Sequence, residues 1–152
     1  MIVAVNEQNQ EIFDRLYQNY QSESAPITGV KPDENGLYTL DYKNFGDVKC
    51  YLIYKEEGKP GGIAVIGTEA PFEIFDSYVS PAYRRQTLGI EAVKEMLDLH
   101  KGEWVVKQPL ESEKAVAFWS KTVKMITKDQ FKEASLYDKR WGRANILTFT
   151  IR

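Results

Sequence analysis

The chain has 152 residues, 43% of them hydrophobic, which suffices for one well-packed core and is short for two, so we expect a single domain over residues 1–152. Twenty basic and 22 acidic side chains give a formal charge of −2, which argues against a protein that neutralises nucleic-acid phosphates. One cysteine and one histidine exclude an internal disulfide and offer little for a metal site, so we expect no metal.

The first half of the chain predicts one helix among short strands. Residues 1–5 are an apolar strand without the basic flank of a secretory signal or the length of a membrane span, which predicts a cytoplasmic protein. A helix follows, with one apolar face made by Ile12, Phe13, Leu16, Tyr17 and Tyr20. Residues 21–36 are typical of a long loop, and residues 37–40 of a short strand.

Residues 48–54 and 62–67 read as the two strands of a hairpin, and we expect Cys50 to pack in the first of them as a small apolar side chain. The second half predicts a strand at 72–79, a helix ending near His100, and a strand at 103–107. A further helix is capped by Ser112, and the last two strands are expected at 125–127 and 146–151. This order indicates an α/β or α+β domain: a mixed sheet with helices on both faces.

Two arginines and a glutamine, Arg84 to Gln86, lie between the strand at 72–79 and the following helix. Helix N-termini leave backbone N–H groups unpaired and carry a positive partial charge, so such a turn suits a pyrophosphate. Alternatively, both arginines are simply solvated at the start of a helix. The residues alone do not decide between these interpretations.

The segment Val79-Ser-Pro-Ala-Tyr-Arg-Arg-Gln-Thr-Leu-Gly89 resembles the acetyl-coenzyme A signature of the GNAT superfamily of N-acetyltransferases. That signature, Arg/Gln-x-x-Gly-x-Gly/Ala, falls here on Arg84-x-x-Thr87-x-Gly89. The first glycine is replaced by Thr87, whose branched side chain narrows the approach of phosphates while adding a hydroxyl donor. The resemblance implies the GNAT fold: a mixed, mostly antiparallel sheet of about seven strands with helices on both faces.

A second segment, Ser112-x-x-Ala115-x-x-Phe118-Trp119, resembles the Asn-x-x-Ala-x-x-Phe-Tyr box of the same superfamily. Ser112 keeps a hydrogen-bonding group at the Asn position. Trp119 has no acidic hydroxyl at the position where the family's tyrosine often protonates the departing thiolate. Short matches near the first helix, such as Ile27-Thr-Gly29, also resemble a bacterial subgroup of predicted acetyltransferases.

The resemblance implies a set of coenzyme-binding residues. Tyr78 and Val79 are expected to pair with the pantetheine arm, with the Val79 N–H facing the thioester carbonyl. The pyrophosphate would be held by Arg84, Arg85, Gln86, Thr87, Leu88, Gly89 and Ile90. Further contacts are expected from Ser112, Phe118 and Trp119.

The general base has two candidates. Glu73 lies six residues before Val79, so the two share a strand face unless a bulge intervenes, and a glutamate at this offset is the base in the histone-acetylating branch of the family. Asp76 is the second candidate and is preferred if a bulge shifts the alternation. The proton for the sulfur is expected from Tyr83, Tyr137 or water.

These residues predict an acetyl-CoA-dependent N-acetyltransferase that acts on a primary amine of a small molecule or peptide. The alternative is a non-catalytic module that binds acyl-CoA, which the replacements at Thr87 and Trp119 favour. Acidic loop residues such as Glu23 either attract a cationic amine or keep the loop soluble. We expect neither nucleic acid nor membrane as a partner; a homodimer is possible, through the last strand around Phe149 or through residues 139–141.

Overall fold

The computed structural model describes all residues, 1–152, and contains one seven-stranded sheet. The strands are β1 (Ile2–Ala4), β2 (Val48–Glu56), β3 (Lys59–Gly67), β4 (Phe72–Val79), β5 (Gly102–Pro109), β6 (Phe131–Asp138) and β7 (Gly142–Ile151). The helices are α1 (Gln10–Thr28), α2 (Leu88–Asp98) and α3 (Glu113–Thr127). None of the helices combines the length and the apolar character needed to cross a lipid bilayer.

The sheet has the order β1-β2-β3-β4-β5-β7-β6, and β4 and β5 are its one parallel pair. The other neighbours are antiparallel, including the hairpin of β2 and β3. Helix α1 covers one face through a cluster centred on Phe13, Tyr17 and Leu52. Helices α2 and α3 cover the other face through a larger cluster that includes Met96, Trp104 and Trp119. The predicted fold class is therefore confirmed.

Helix α1 is longer than the sequence predicted, because it continues to Thr28 through the segment expected to be a loop. It ends at Gly29, whose φ of 76° provides a left-handed C-cap that donates its N–H to Ala25. Its second half carries serines and Pro26, which are weak helix formers, so composition alone argued for a loop. The extension places Glu23 on a helix and not on a flexible loop.

Two predicted strands are wrong. Residues 37–40 form no strand, since glutamine side chains of α1 satisfy their backbone: Gln18 bonds both the N–H and the C=O of Tyr38, each at 2.7 Å, and Gln21 donates to the C=O of Thr39. Residues 125–127 belong to α3, and the strand begins at Phe131. The branched residues Ile126 and Thr127 resembled a strand locally, but Ile126 packs into the core from the helix.

The last strand, which the sequence suggested as a surface for a homodimer, is not at an edge of the sheet. Strand β7 lies inside the sheet between β5 and β6, and Phe149 is buried. Within residues 139–141, the Arg140 side chain turns inward to the carboxylate of Asp76. The exposed edge of this part of the sheet is β6.

Candidate functional site

The parallel strands β4 and β5 pair at only three positions, which end at Ile74 and Val106. Beyond that point the strands separate, and a cleft of about 860 Å³ occupies the opening. Its walls come from both strands, from the second half of α1, and from the starts of α2 and α3. The cleft therefore passes through the sheet at the one place where two neighbouring strands are not bonded to each other.

Eleven of the fifteen residues predicted for the site line this cleft: Asp76, Tyr78, Val79, Arg84, Arg85, Thr87, Gly89, Ile90, Ser112, Phe118 and Trp119. The other four do not. Leu88 is a buried core residue, and the exposed Gln86 donates to the C=O of Ala82. Tyr83 packs over Gly61, where an added Cβ would lie 3.0 Å from its ring, and Glu73 lies beside Lys107.

The start of α2 presents unpaired donors to one end of the cleft. The first bond of the helix runs from the Glu91 N–H to the Thr87 C=O, and no side chain caps the N-terminus. The N–H groups of Leu88, Gly89 and Ile90 therefore have no acceptor within the helix. Together with the exposed guanidinium of Arg85, they form a site suited to an anion.

Thr87 lies in the left-handed region, with φ of 64°, and so does Arg85, with φ of 63°. A branched residue pays a steric cost in this region, and glycine does not. The backbone of the turn thus has the conformation that the family's glycine favours, although the sequence supplies threonine. The Thr87 hydroxyl donates to the C=O of Gln86 and also approaches the Glu91 carboxylate.

Arg84 is held across the cleft mouth. Its Nε donates to the C=O of Val79 at 2.8 Å, and its Nη2 pairs with the Glu23 carboxylate of α1 at 2.6 Å. The guanidinium also lies 5.6 Å from the centre of the Tyr78 ring. Arg84 therefore links the turn to β4 and α1, and of the two arginines of the turn only Arg85 has no ion-pair partner.

Backbone N–H groups of β4 face the opening. Ser80 donates to the C=O of Gly61, and Tyr78 approaches Gly62 so closely that no side chain fits there. In an antiparallel ladder, bonded and non-bonded residues alternate, so the N–H groups of Ser77 and Val79 point away from β3. On the side of β4 that faces β5, the two strands are no longer paired at Ser77 and Val79, so these N–H groups point into the cleft.

A β-bulge at Phe75 decides the placement of the two carboxylates. The register passes from Asp76 opposite Val65 to Ile74 opposite Ile66, which leaves Phe75 as the extra residue. Ile74 and Val79 consequently pack against the α2 and α3 side, whereas Phe75 and Tyr78 belong to the α1 side. Glu73 and Asp76 both lie on the α1 face, opposite the side chain of Val79.

Asp76 is a buried carboxylate with three donors. It accepts hydrogen bonds from the hydroxyls of Tyr17 and Tyr20, at 2.6 and 2.7 Å, and from Nη2 of Arg140 at 2.7 Å. Burial raises the pKa of Asp76, while Arg140 and the two hydroxyls oppose that rise. With its side chain fully buried, Asp76 has little room for an incoming proton donor.

Glu73 is more accessible, with 23% of its side chain exposed. It lies 3.4 Å from Nζ of Lys107, which also pairs with Asp138 at 3.1 Å. Burial raises the pKa of Glu73, and the ammonium of Lys107 limits the rise. Lys107 lines the cleft, and Glu73 contacts the cleft wall only through this ammonium group.

Cys50 and His100 do not form a catalytic pair. Cys50 packs against the α1 cluster, as predicted, and burial raises the pKa of its thiol to about 11, which keeps it protonated. His100 stacks on Phe72 with the ring centres 4.5 Å apart, on the opposite side of the sheet. Nor does any group of three His, Cys, Asp or Glu side chains come together as metal ligands.

Among the lining residues that the sequence did not predict for the site are Ser77, Lys107, Gln108, Lys114 and Trp141. One signal was available for Gln108: it follows Trp104 and Val106 at the strand spacing of two, so a polar residue takes the third inward position. The positions of the other residues depend on which strands and helices meet across the opening, and a local sequence pattern does not predict these contacts.

Comparisons with known proteins agree with this architecture. The family model "Acetyltransferase (GNAT) family" matches residues 11–123. The spermidine N-acetyltransferase of Vibrio cholerae, solved with CoA and spermine, has a TM-score of 0.68 at 13% identity, covering 99% of this chain and 95% of that one. The ribosomal-protein-S18-alanine N-acetyltransferase of Escherichia coli has a TM-score of 0.61 at 14% identity, covering 99% and 93%.

A putative acetyltransferase from the GNAT family of Bacteroides thetaiotaomicron gives a TM-score of 0.65 at 11% identity, covering 100% of this chain and 88% of that one. No curated protein sequence matches the chain. At these identities, the structural likeness is one of fold, and the family model carries the assignment. Because that model spans most of the chain, the protein belongs to the GNAT family of acetyltransferases, as its two motifs predicted.

Proposed function

We propose that the protein is an acetyl-CoA-dependent N-acetyltransferase that acts on a primary amine of a small molecule or peptide. One observation carries the proposal: a continuous cleft joins the unpaired N–H groups at the start of α2 to the free N–H groups of Ser77 and Val79. This arrangement offers one end for a diphosphate and an extended backbone for an arm that carries amides. Acetyl-CoA has both parts, and it supplies the thioester whose acyl group is transferred.

The residues fit this co-substrate. The N–H groups of Leu88, Gly89 and Ile90, with Arg85, hold the diphosphate. The N–H of Val79 pairs with the arm. We assign the thioester carbonyl to the N–H of Ser77, since Ser77 lies next to Asp76 and nearer than Val79 to the carboxylates of the α1 face. Phe118 and Trp119 provide apolar contact on the other wall.

The amine approaches from the α1 side. Tyr20, Glu23 and Ser24 line the cleft there, and the Glu23 carboxylate, which is paired with Arg84, and the hydroxyls of Tyr20 and Ser24 are the polar groups that an amine meets on this side. Of the two base candidates, we assign Glu73, because Asp76 is already bonded to three donors and fully buried. Glu73 takes the proton of the attacking amine through a water molecule beside Lys107.

The departing sulfur receives its proton from water. Tyr83 packs outside the cleft, and Tyr137 is 78% exposed on β6. Tyr20 and Tyr78 line the cleft, but burial raises the pKa of both, which makes them poor proton donors. A thiol with a pKa of about 8.5 leaves without a strong acid, so the absence of a tyrosine at Trp119 is compatible with turnover.

A second candidate function, a non-catalytic module that binds acyl-CoA, is favoured by Trp119, which lines the cleft where the family motif has tyrosine. Calorimetry with acetyl-CoA tests the binding that both functions share. Release of free thiol from acetyl-CoA in the presence of a panel of polyamines, amino acids and peptide N-termini tests transfer. Binding with no thiol release for any amine would favour the module, and the absence of binding would reject both.

A further inference from the structure

Gln108 is a polar side chain buried without a partner. The residue is 4% exposed, and neither its Oε1 nor its Nε2 has a hydrogen-bond partner. These two atoms are the only buried side-chain polar atoms of the chain in that condition. A buried amide without hydrogen-bond partners lowers the stability of the folded protein. Such a group therefore needs an explanation, and one explanation is that it binds a ligand.

No neighbouring side chain forms a hydrogen bond with the amide of Gln108. Its cross-strand partner on β7, Asn145, is also buried but donates to Glu133 on β6. The cleft wall at this level is apolar, with Ile74, Val106 and Trp119. A protein group that could bond the amide is therefore missing on every side except that of the cleft, which Gln108 itself lines.

The position of Gln108 along the cleft indicates which part of a ligand it meets. The last bonded pair of β4 and β5 is Ile74 with Val106, so Gln108 lies two residues beyond the point where the strands separate. At the same level, the β4 wall carries Asp76 and Ser77. The anion site at the start of α2 lies at the other end of the opening, beyond Val79. A ligand anchored there by its diphosphate reaches Gln108 with the end that bears the thioester.

We propose that Gln108 binds the thioester end of the acyl donor: Nε2 donates to the thioester carbonyl oxygen, and Oε1 accepts from the neighbouring amide N–H of the arm. This assignment rests on the proposed function and adds a second donor, opposite the N–H of Ser77, to the oxygen on which charge develops during transfer. Both unpaired atoms of Gln108 are then satisfied by a single ligand. Without the ligand, the unpaired amide destabilises the protein; with the ligand bound, the amide forms both hydrogen bonds.

The test replaces Gln108 with methionine, which has the same length and no strong donor or acceptor, and with leucine in case the first variant packs poorly. Calorimetry then compares acetyl-CoA, free CoA, which lacks the thioester carbonyl, and adenosine 3′-phosphate 5′-diphosphate, which keeps the diphosphate and lacks the arm. Asn145→Ala is the matched control, since Asn145 is buried beside Gln108 and does not line the cleft.

For Gln108→Met, we expect acetyl-CoA to bind about tenfold more weakly, free CoA to lose less, and the adenosine diphosphate to bind as in the wild type. The unliganded variant should also melt about 3 °C higher, because the unpaired amide is gone. Unchanged affinity for acetyl-CoA, or an equal loss for acetyl-CoA and CoA, would overturn the assignment. If the wild type binds none of the three ligands, the proposed function fails first; if it binds them and the variant does likewise, only the role of Gln108 fails.

Discussion

The guanidinium of Arg140 lies 2.7 Å from the carboxylate of Asp76, and its other arm donates to the C=O of Phe75. This pair fastens the turn between β6 and β7 to the bulge of β4. The same guanidinium lies 4.0 Å from the centre of the Trp141 ring. The carboxylate that was the second candidate for the base is thus bonded to Arg140 as well as to two tyrosine hydroxyls.

Asp76→Asn should therefore act mainly on stability. The amide leaves Arg140 without its buried counter-charge, and breaking such a pair costs about 3 kcal/mol of unfolding free energy. Chemical denaturation measures the loss. In the double variant with Arg140→Met, the loss should be smaller than the sum of the single losses, since one substitution removes the charge that the other leaves unpaired. Strictly additive losses would show that the pair is not coupled.

Glu73→Gln should act on turnover. If Glu73 accepts the amine proton, kcat falls by about 10²–10⁴-fold, while the affinity for acetyl-CoA stays at the wild-type value. Activity of the wild type should rise with pH through the pKa of Glu73, which burial places above the usual value of about 4.3. The variant should lose this rise. A wild-type profile in Glu73→Gln, together with an inactive but folded Asp76→Asn, would transfer the role to Asp76.

Thr87→Gly should stabilise the protein and improve ligand binding. The left-handed backbone at Thr87 costs about 1–2 kcal/mol for a residue with a side chain, and part of the gain is offset by the greater freedom of glycine in the unfolded chain. We expect a net gain of about 0.5–1 kcal/mol in unfolding free energy and a lower Kd for acetyl-CoA. Thr87→Ala is the control, because it removes the hydroxyl and keeps the Cβ. Equal gains in both variants would point to the hydroxyl and not to the backbone.

Local signals in the sequence determine some parts of the site, and contacts between distant residues determine the others. The helices that begin near 88 and 113 were predictable because their signals are local, a helix start and an apolar face, whereas the binding role expected of 84–90 and of Ser112 to Trp119 came from the resemblance to the GNAT motifs. The roles of Gln108, Lys107 and Arg140 depend on which strands separate and which turns fold back, which residues distant in sequence decide. The bulge at Phe75 was foreseen only as a condition, since nothing in the residues 72–79 marks which of them is the extra one.

Arg85→Ala should weaken the binding of acetyl-CoA. Arg85 is exposed at the anion site with no ion-pair partner in the protein, so its charge is available to the diphosphate. We expect a loss of about 3–10-fold in affinity, with a shallower salt dependence in the variant. The exposed Arg15 on α1 does not line the cleft, and Arg15→Ala serves as the charge-matched control. Equal losses of affinity in the two variants would show that the effect comes from the net charge of the protein and not from a contact of Arg85.

Stability should fall steeply at alkaline pH. Burial raises the pKa of Tyr17, Tyr20 and Tyr42 above the ordinary value of 10.0 and that of Cys50 to about 11. Above pH values of about 9 for the thiol and 10 for the tyrosines, the unfolded chain releases protons that the folded protein retains. Each such group lowers the unfolding free energy by about 1.4 kcal/mol per pH unit until it ionises in the folded state.

Denaturation curves between pH 8 and pH 11 check this slope. Tyr17→Phe loses stability at neutral pH, since it removes the hydrogen bond to Asp76. At alkaline pH, its unfolding free energy should fall less steeply with pH than that of the wild type, because one titrating hydroxyl is absent. Tyr137, whose side chain is 78% exposed, is the control: Tyr137→Phe should leave both the neutral value and the slope unchanged. A flat wild-type curve over this range would mean that these hydroxyls reach solvent in the folded protein, which would contradict the buried network around Asp76.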